Sequence, residues 1–357
     1  MIIDNHVHVF PDQAGPEVGP DPRHHVLLMQ QSVRDYWGRM VTSHKDPKYI
    51  PGADEDVGFT VGQYGRFHWK KHGEDCWLQR GPVTMEVMEH TPEQMLAHMD
   101  FIGVDMGVIH ADYLDVGTGR ESYFLDCIRR WPDRFIGTAS IDYDLTRDDE
   151  YLRSEIKKLT GAVTEDGFKA FFASEAMVEQ PLDDPRCDPL WAEVVRLGVP
   201  AYINTGFNPR AKYLAQIQCI ENILKRFPEL VVIDSHVGGN ILHPRDPQYV
   251  DSPREFNPLF DTGRFYLELG YVLAYENVDV WGRDYEYPYP RHRQIIQTIY
   301  ENFGPRVLVW GSDIPWCFRT CTYQQNLDLI RLHTDFMTEE DRALVLGGNL
   351  ARLLGIG

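Results

Sequence analysis

The sequence predicts an α/β fold, a distorted (β/α)8 TIM barrel with a long insertion after its first strand. Apolar strand-like runs alternate with amphipathic helical ones along most of the 357 residues, the pattern of a parallel sheet with crossover helices. Eight strands can be placed, and polar residues suited to chemistry gather at their C-terminal ends, where such barrels carry their sites. Between the first strand and the first barrel helix lie about eighty residues, far more than an ordinary connection needs.

The predicted strands run over about residues 1–9, 105–110, 134–141, 166–172, 199–205, 230–236, 264–271 and 306–312. Helical segments fall near 92–103, 119–131, 147–159, 187–197, 210–226, 291–303, 322–334 and 338–346. Thr91 before Pro92 and Glu93, and Thr338 before Glu339 and Glu340, have the form of N-caps followed by acids in the first turn. Residues 1–357 therefore read as one barrel domain, with residues 11–91 inserted over the active-site face. Aromatics crowd this insertion, Tyr36, Phe59, Trp69 and Trp77 among them. They can wall a pocket for a planar ring, or bury against the barrel or a second subunit. The stretch after strand seven, YVLAYENVDVWGRDYEYPYP, poses the same choice. Trp69 and Tyr271 are the substrate-binding candidates from these two segments.

A hydrophobic content of 43% suffices for a large core, and the longest apolar runs are strand-sized, so no membrane span is expected. The net charge of −19 argues against nucleic acid, whose phosphates demand a basic surface, and against an anionic membrane face. Six cysteines lie scattered at 76, 127, 187, 219, 317 and 321, which suggests reduced thiols and a cytoplasmic setting, not a disulfide framework or a four-cysteine zinc site. GxGxxG, Walker A and G-x-S-x-G motifs are absent, so nothing supports a phosphate cradle or a serine hydrolase. The expected partner is a small-molecule substrate, with a homo-oligomer of two or more copies.

His6 and His8 lie two residues apart on the first strand, so their imidazoles point to one side and can grip one metal ion. Two further strand ends, VVIDSHVGG and VLVWGSDIP, supply His236 and Asp313, and VPAYINTG supplies Asn204. Five polar residues at one edge of a barrel are hard to explain as packing, because a buried imidazole or carboxylate needs a partner. Asp4 alternates in phase with His6 and His8 and reads as a structural group that supports the ligands.

These motifs carry a resemblance. IIDNHVHVF, RRWPDRFIGTASID, DGFKAFF, FPELVVIDSHVGG, RVLVWGSDIPW and GGNLARLLGI resemble the amidohydrolase superfamily in content and order, and more closely its amidohydrolase-related, aminocarboxymuconate semialdehyde decarboxylase-like branch. The resemblance implies one divalent ion, Mn2+ or Zn2+, held by His6, His8 and Asp313, with Asp313 also taking a proton from water. It implies that His236 polarises the substrate or shuttles protons. Asn204 stands where most relatives have a metal-binding histidine. It can ligate weakly or hold a water or substrate oxygen, and His236 can move into the coordination shell to compensate. Losing an imidazole shifts preference toward a harder ion such as manganese. Lys169, expected to end strand four, is read as a catalytic contact to a substrate carbonyl or carboxylate that, with His236, supports the oxyanion or enolate, or as one half of a structural ion pair.

The expected activity is metal-dependent hydrolysis that opens a small cyclic carbonyl compound, a lactone, lactam or cyclic diketone, by metal-activated water. Non-oxidative decarboxylation of an aromatic or unsaturated acid is the alternative, and a binding protein with a vestigial site is the third.

Overall fold

The computed structural model describes residues 1–16, 22–35, 47–110, 121–174, 181–204, 210–235, 257–269 and 286–357. The chain begins with β1 (Ile3–Val7) and α1 (Pro22–Asp35), then forms three short strands, β2 (Thr60–Val61), β3 (Arg66–Lys71) and β4 (Glu74–Gln79). Strands and helices then alternate as α2 (Pro92–Ile102), β5 (Met106–Ile109), α3 (Glu121–Arg130), β6 (Phe135–Ala139), α4 (Asp149–Thr164), β7 (Ala170–Ser174) and α5 (Asp188–Leu197). The second half continues with β8 (Ala201–Asn204), α6 (Arg210–Arg226), β9 (Val232–Asp234), α7 (Asn257–Phe260), β10 (Phe265–Leu269), α8 (Pro290–Phe303) and β11 (Leu308–Trp310). Three helices close the chain: α9 (Tyr323–His333), α10 (Glu339–Ala343) and α11 (Asn349–Leu354).

Eight strands form one sheet in the order β1-β5-β6-β7-β8-β9-β10-β11, with parallel pairing throughout. This is the nearly closed barrel that the alternation predicts. The closing seam lies between β1 and the segment after β11. There Asp313 N donates to His6 O at 2.9 Å and His8 N to Ile314 O at 2.8 Å. Strands walled on both faces must be apolar almost throughout, and Phe171, Tyr202, Val232, Leu269 and Trp310 are all fully buried.

Local chemistry sets the helix ends. Thr91 caps α2 in a reciprocal box, its hydroxyl accepting from Gln94 N while the Gln94 side chain accepts from Thr91 N. Thr322 and Gln325 repeat the arrangement on α9, and Thr338 caps α10. Among the described residues, no helix is long and apolar enough to cross a membrane. All six cysteines are free and buried.

The inserted strands form a separate antiparallel sheet, β2-β3-β4. His72 and Gly73 connect β3 to β4 with φ of 54° and 76°, the doubly left-handed turn whose twist suits a two-residue hairpin. The face carrying Phe67, Trp69, Cys76 and Leu78 packs with Met29 and Val33 of α1 into a second core. Phe10 and Trp316 join that core from the barrel, so it rests against the turn that follows β11.

Candidate metal centre at the barrel seam

Asp4, His6 and His8 are buried on or just after β1, with the two histidines only 1% and 5% exposed. The β1 ladder shifts register between Asp4 and Val7. As a result two consecutive side chains, Asn5 and His6, reach the same carboxylate oxygen of Glu268 on β10, at 2.7 and 3.1 Å. A carboxylate only accepts, so His6 Nδ1 is the donor there. His8 Nδ1 in turn donates to the carbonyl of His110 at 3.0 Å. With both Nδ1 atoms holding the proton, each Nε2 presents its lone pair.

Those lone pairs converge. His6 Nε2 and His8 Nε2 are 3.1 Å apart, and Asp313 Oδ1 lies 2.9 Å from His8 Nε2 and 3.6 Å from His6 Nε2. A divalent ion about 2.1 Å from each ligand spaces neighbouring ligand atoms by about 3.0 to 3.4 Å, so the observed triangle fits one. Among the described residues these three form a group whose candidate ligand atoms all lie within 4.8 Å of one another.

Asp313 reaches the histidines from a left-handed backbone, φ 57°, which few non-glycine residues adopt and which aspartate tolerates better than most. The turn is held from below by Asp4. Its Oδ1 accepts from His6 N at 3.0 Å and Ser312 N at 2.9 Å, and its Oδ2 from the Ser312 hydroxyl at 2.5 Å and Tyr323 at 2.8 Å. Asp4 thus ties β1, the residue before Asp313 and α9 together. Gly311 makes the approach possible, since a Cβ there would stand 2.8 Å from the Glu268 carboxyl and 3.0 Å from His6 Cβ.

Burial raises Asp4 to about 6 even against those hydrogen bonds, while it works to lower His6. In His6 the charges of Glu268, Asp313 and Asp4 prevail and lift the imidazolium to about 9. The site attracts positive charge, as a proton or as a metal ion. His90 lies behind it, its Nδ1 donating to the His8 carbonyl at 2.6 Å, and burial drives its pKa down to about 3.

Two expectations are corrected. Lys169 does not end its strand. β7 begins only at Ala170, so the exposed Lys169 side chain stands at the N-terminal edge, opposite the strand ends that carry the seam. Trp69 is 5% exposed in the inserted core, its indole N–H donating to Tyr49 O at 2.7 Å and its ring stacked on Phe59, so it is a packing residue. Asn204 closes β8 opposite Ser174, while its side chain lies outside the described residues, as do His236 and Tyr271 entirely.

Glu268, His110 and Asn5 join the site beyond the residues that the motifs single out. Glu268 is a lone acid in the apolar run FYLEL, and His110 follows the apolar strand residues Val108 and Ile109, both patterns that single out a buried polar group. His110 lies against the His6 ring at 4.4 Å and edge-on to Tyr202 at 4.4 Å.

No curated protein matches the sequence. Several solved structures share the fold. A probable 2-pyrone-4,6-dicarboxylic acid hydrolase from Acinetobacter baumannii, with citric acid bound, is 15% identical at a TM-score of 0.57, covering 99% of each chain. A 4-oxalomesaconate hydratase from Rhodopseudomonas palustris is 18% identical at 0.55, covering 99% of this chain and 96% of its own. A dihydroxybenzoic acid decarboxylase from Polaromonas sp. JS666, with bound manganese and an inhibitor, is 17% identical at 0.53, covering 75% and 87%. The histidine pair on the first strand and the aspartate beyond the eighth sit within a sequence whose residues 3–356 match the amidohydrolase family model, and the chain belongs to that family.

Proposed function

We propose that this protein is a metal-dependent hydrolase that opens a small cyclic carbonyl compound, a lactone, lactam or cyclic diketone. The observation that carries the reading is the triangle of His6 Nε2, His8 Nε2 and Asp313 Oδ1, whose edges suit a single divalent ion, manganese or zinc. An ion held there supplies Lewis acidity, polarising a carbonyl and acidifying water.

The protein's own groups do the rest. Asp313 accepts the proton of the attacking water. His8 is kept in its tautomer by the His110 carbonyl, and its backbone is clamped by Ile314 and His90. With site side chains only 2–7% exposed, bulk water is largely excluded and each charge interaction is strengthened. His236 would stabilise the oxyanion that develops on the carbonyl oxygen as water adds, and Asn204 would hold a substrate oxygen or act as a weak further ligand. Residues 11–91 form the insertion over this face, a reading supported by the stack of Phe10 on Trp316, 5.3 Å apart.

Two of the structural likenesses that cover 99% of this chain, named a probable hydrolase and a hydratase, support hydrolysis over decarboxylation. The manganese decarboxylase keeps loss of CO2 as the competing outcome. With a substrate found by screening cyclic carbonyls and aromatic acids, turnover in oxygen-18 water should place one label in a new carboxylate and release no CO2. Equimolar CO2 without label would replace the hydrolase with a decarboxylase.

A further inference from the structure

The geometry points to Glu268 as a positioning residue for His6, one that both aims the imidazole at the metal and strengthens it as a donor. This inference rests on the metal reading of the site. Glu268 is fully buried on β10, and a carboxylate withdrawn from water needs strong compensation. Its Oε2 receives both Asn5 Nδ2, at 2.7 Å, and His6 Nδ1, at 3.1 Å. Tyr202 donates its hydroxyl to Asn5 Oδ1 at 2.7 Å, which turns the Asn5 amide so that its NH2 faces Glu268. A chain of hydrogen bonds thus runs from β8 through β1 to β10 and ends on the side of the His6 ring away from Asp313.

Two further features make the contact specific. The His110 ring lies 4.4 Å from that of His6 at 32°, limiting rotation on one side. Residue 311 must be glycine for the carboxylate to occupy its place, because a Cβ would come within 2.8 Å of both Cδ and Oε2. A negative charge on Nδ1–H pushes electron density toward Nε2 and holds the ring in the tautomer that can ligate.

Chelator-competition titrations of the purified full chain with Mn2+ and with Zn2+ test this, alongside thermal melts of the metal-free protein. Glu268→Ala removes both hydrogen bonds and should weaken affinity about 10- to 100-fold. Glu268→Gln can still accept from both donors through one oxygen, so it should recover the orientation, lose only the charge, and fall between parent and Ala. A role confined to holding the barrel together would lower the melting temperature of the variants and leave their affinity unchanged. Parental affinity in folded Glu268→Ala would overturn the inference while leaving the metal site standing. Should that variant fail to fold, parental affinity in Glu268→Gln would overturn the claim that the Glu268 charge strengthens His6 as a donor. A parent chain that binds neither ion would instead overturn the metal reading, and this inference with it.

Discussion

The barrel seam and the core of the inserted sheet meet at Trp316, yet their buried polar groups point differently. In the insertion backbone carbonyls take several of them: Trp69 donates to Tyr49 O, and the Gln30 amide to Gly52 O and Glu55 O at 2.6 and 2.7 Å. At the seam one nitrogen of each imidazole meets Glu268 or the His110 carbonyl, and the other nitrogens face one another and Asp313. Burial of a polar residue therefore does not mark function by itself. The useful sign is several imidazole and carboxylate groups aimed at a common point.

The sharpest way to break this contrast is substitution at the seam. His6→Ala or His8→Ala should leave a folded barrel with nearly all activity gone, because the ion keeps too few protein ligands. Turnover within tenfold of the parent in either variant would reduce the seam to packing. Asp313→Asn keeps size and an oxygen acceptor but loses the basic carboxylate. We expect turnover to fall by about two orders of magnitude or more, read from single-turnover rates.

Acid unfolding separates buried histidines of the two kinds. His292 on α8 is held by burial at a pKa of about 4, below its unfolded value of about 6.5. The unfolded chain binds the extra proton, so this contribution to stability is present above about pH 6.5 and is lost as pH falls through about 4. It amounts to about 3 kcal/mol. His292→Phe should flatten denaturant-measured stability across that window, and an unaltered slope would contradict it. His6 has the opposite sign in the metal-free protein. Its raised pKa favours folding fully below about 6.5, and that contribution is lost as pH rises through about 9.

The smallest effect belongs to the insertion. Trp69→Phe removes the hydrogen bond to Tyr49 O and should cost about 1 kcal/mol of stability with metal content unchanged. Loss of metal in this variant would erase the distinction between the two regions.

Much of the seam was legible, because an H-x-H pair on a strand and an acid at a distant strand end need only the barrel to bring them together. The bulge in β1 was not. Strict alternation separates Asn5 from His6, whereas the structure brings both to Glu268. Lys169 was misplaced because FKAFF is one apolar run with no turn signal to show where the strand starts. Aromatic density in the insertion said nothing about which way Trp69 points.

The central claim is that His6, His8 and Asp313 hold one divalent ion. Elemental analysis of purified parent and of folded His8→Ala, each dialysed against Mn2+ and then Zn2+, tests it most directly. The account predicts one ion per chain in the parent and near none in the variant. Equal metal in both, or none in the parent, would contradict it.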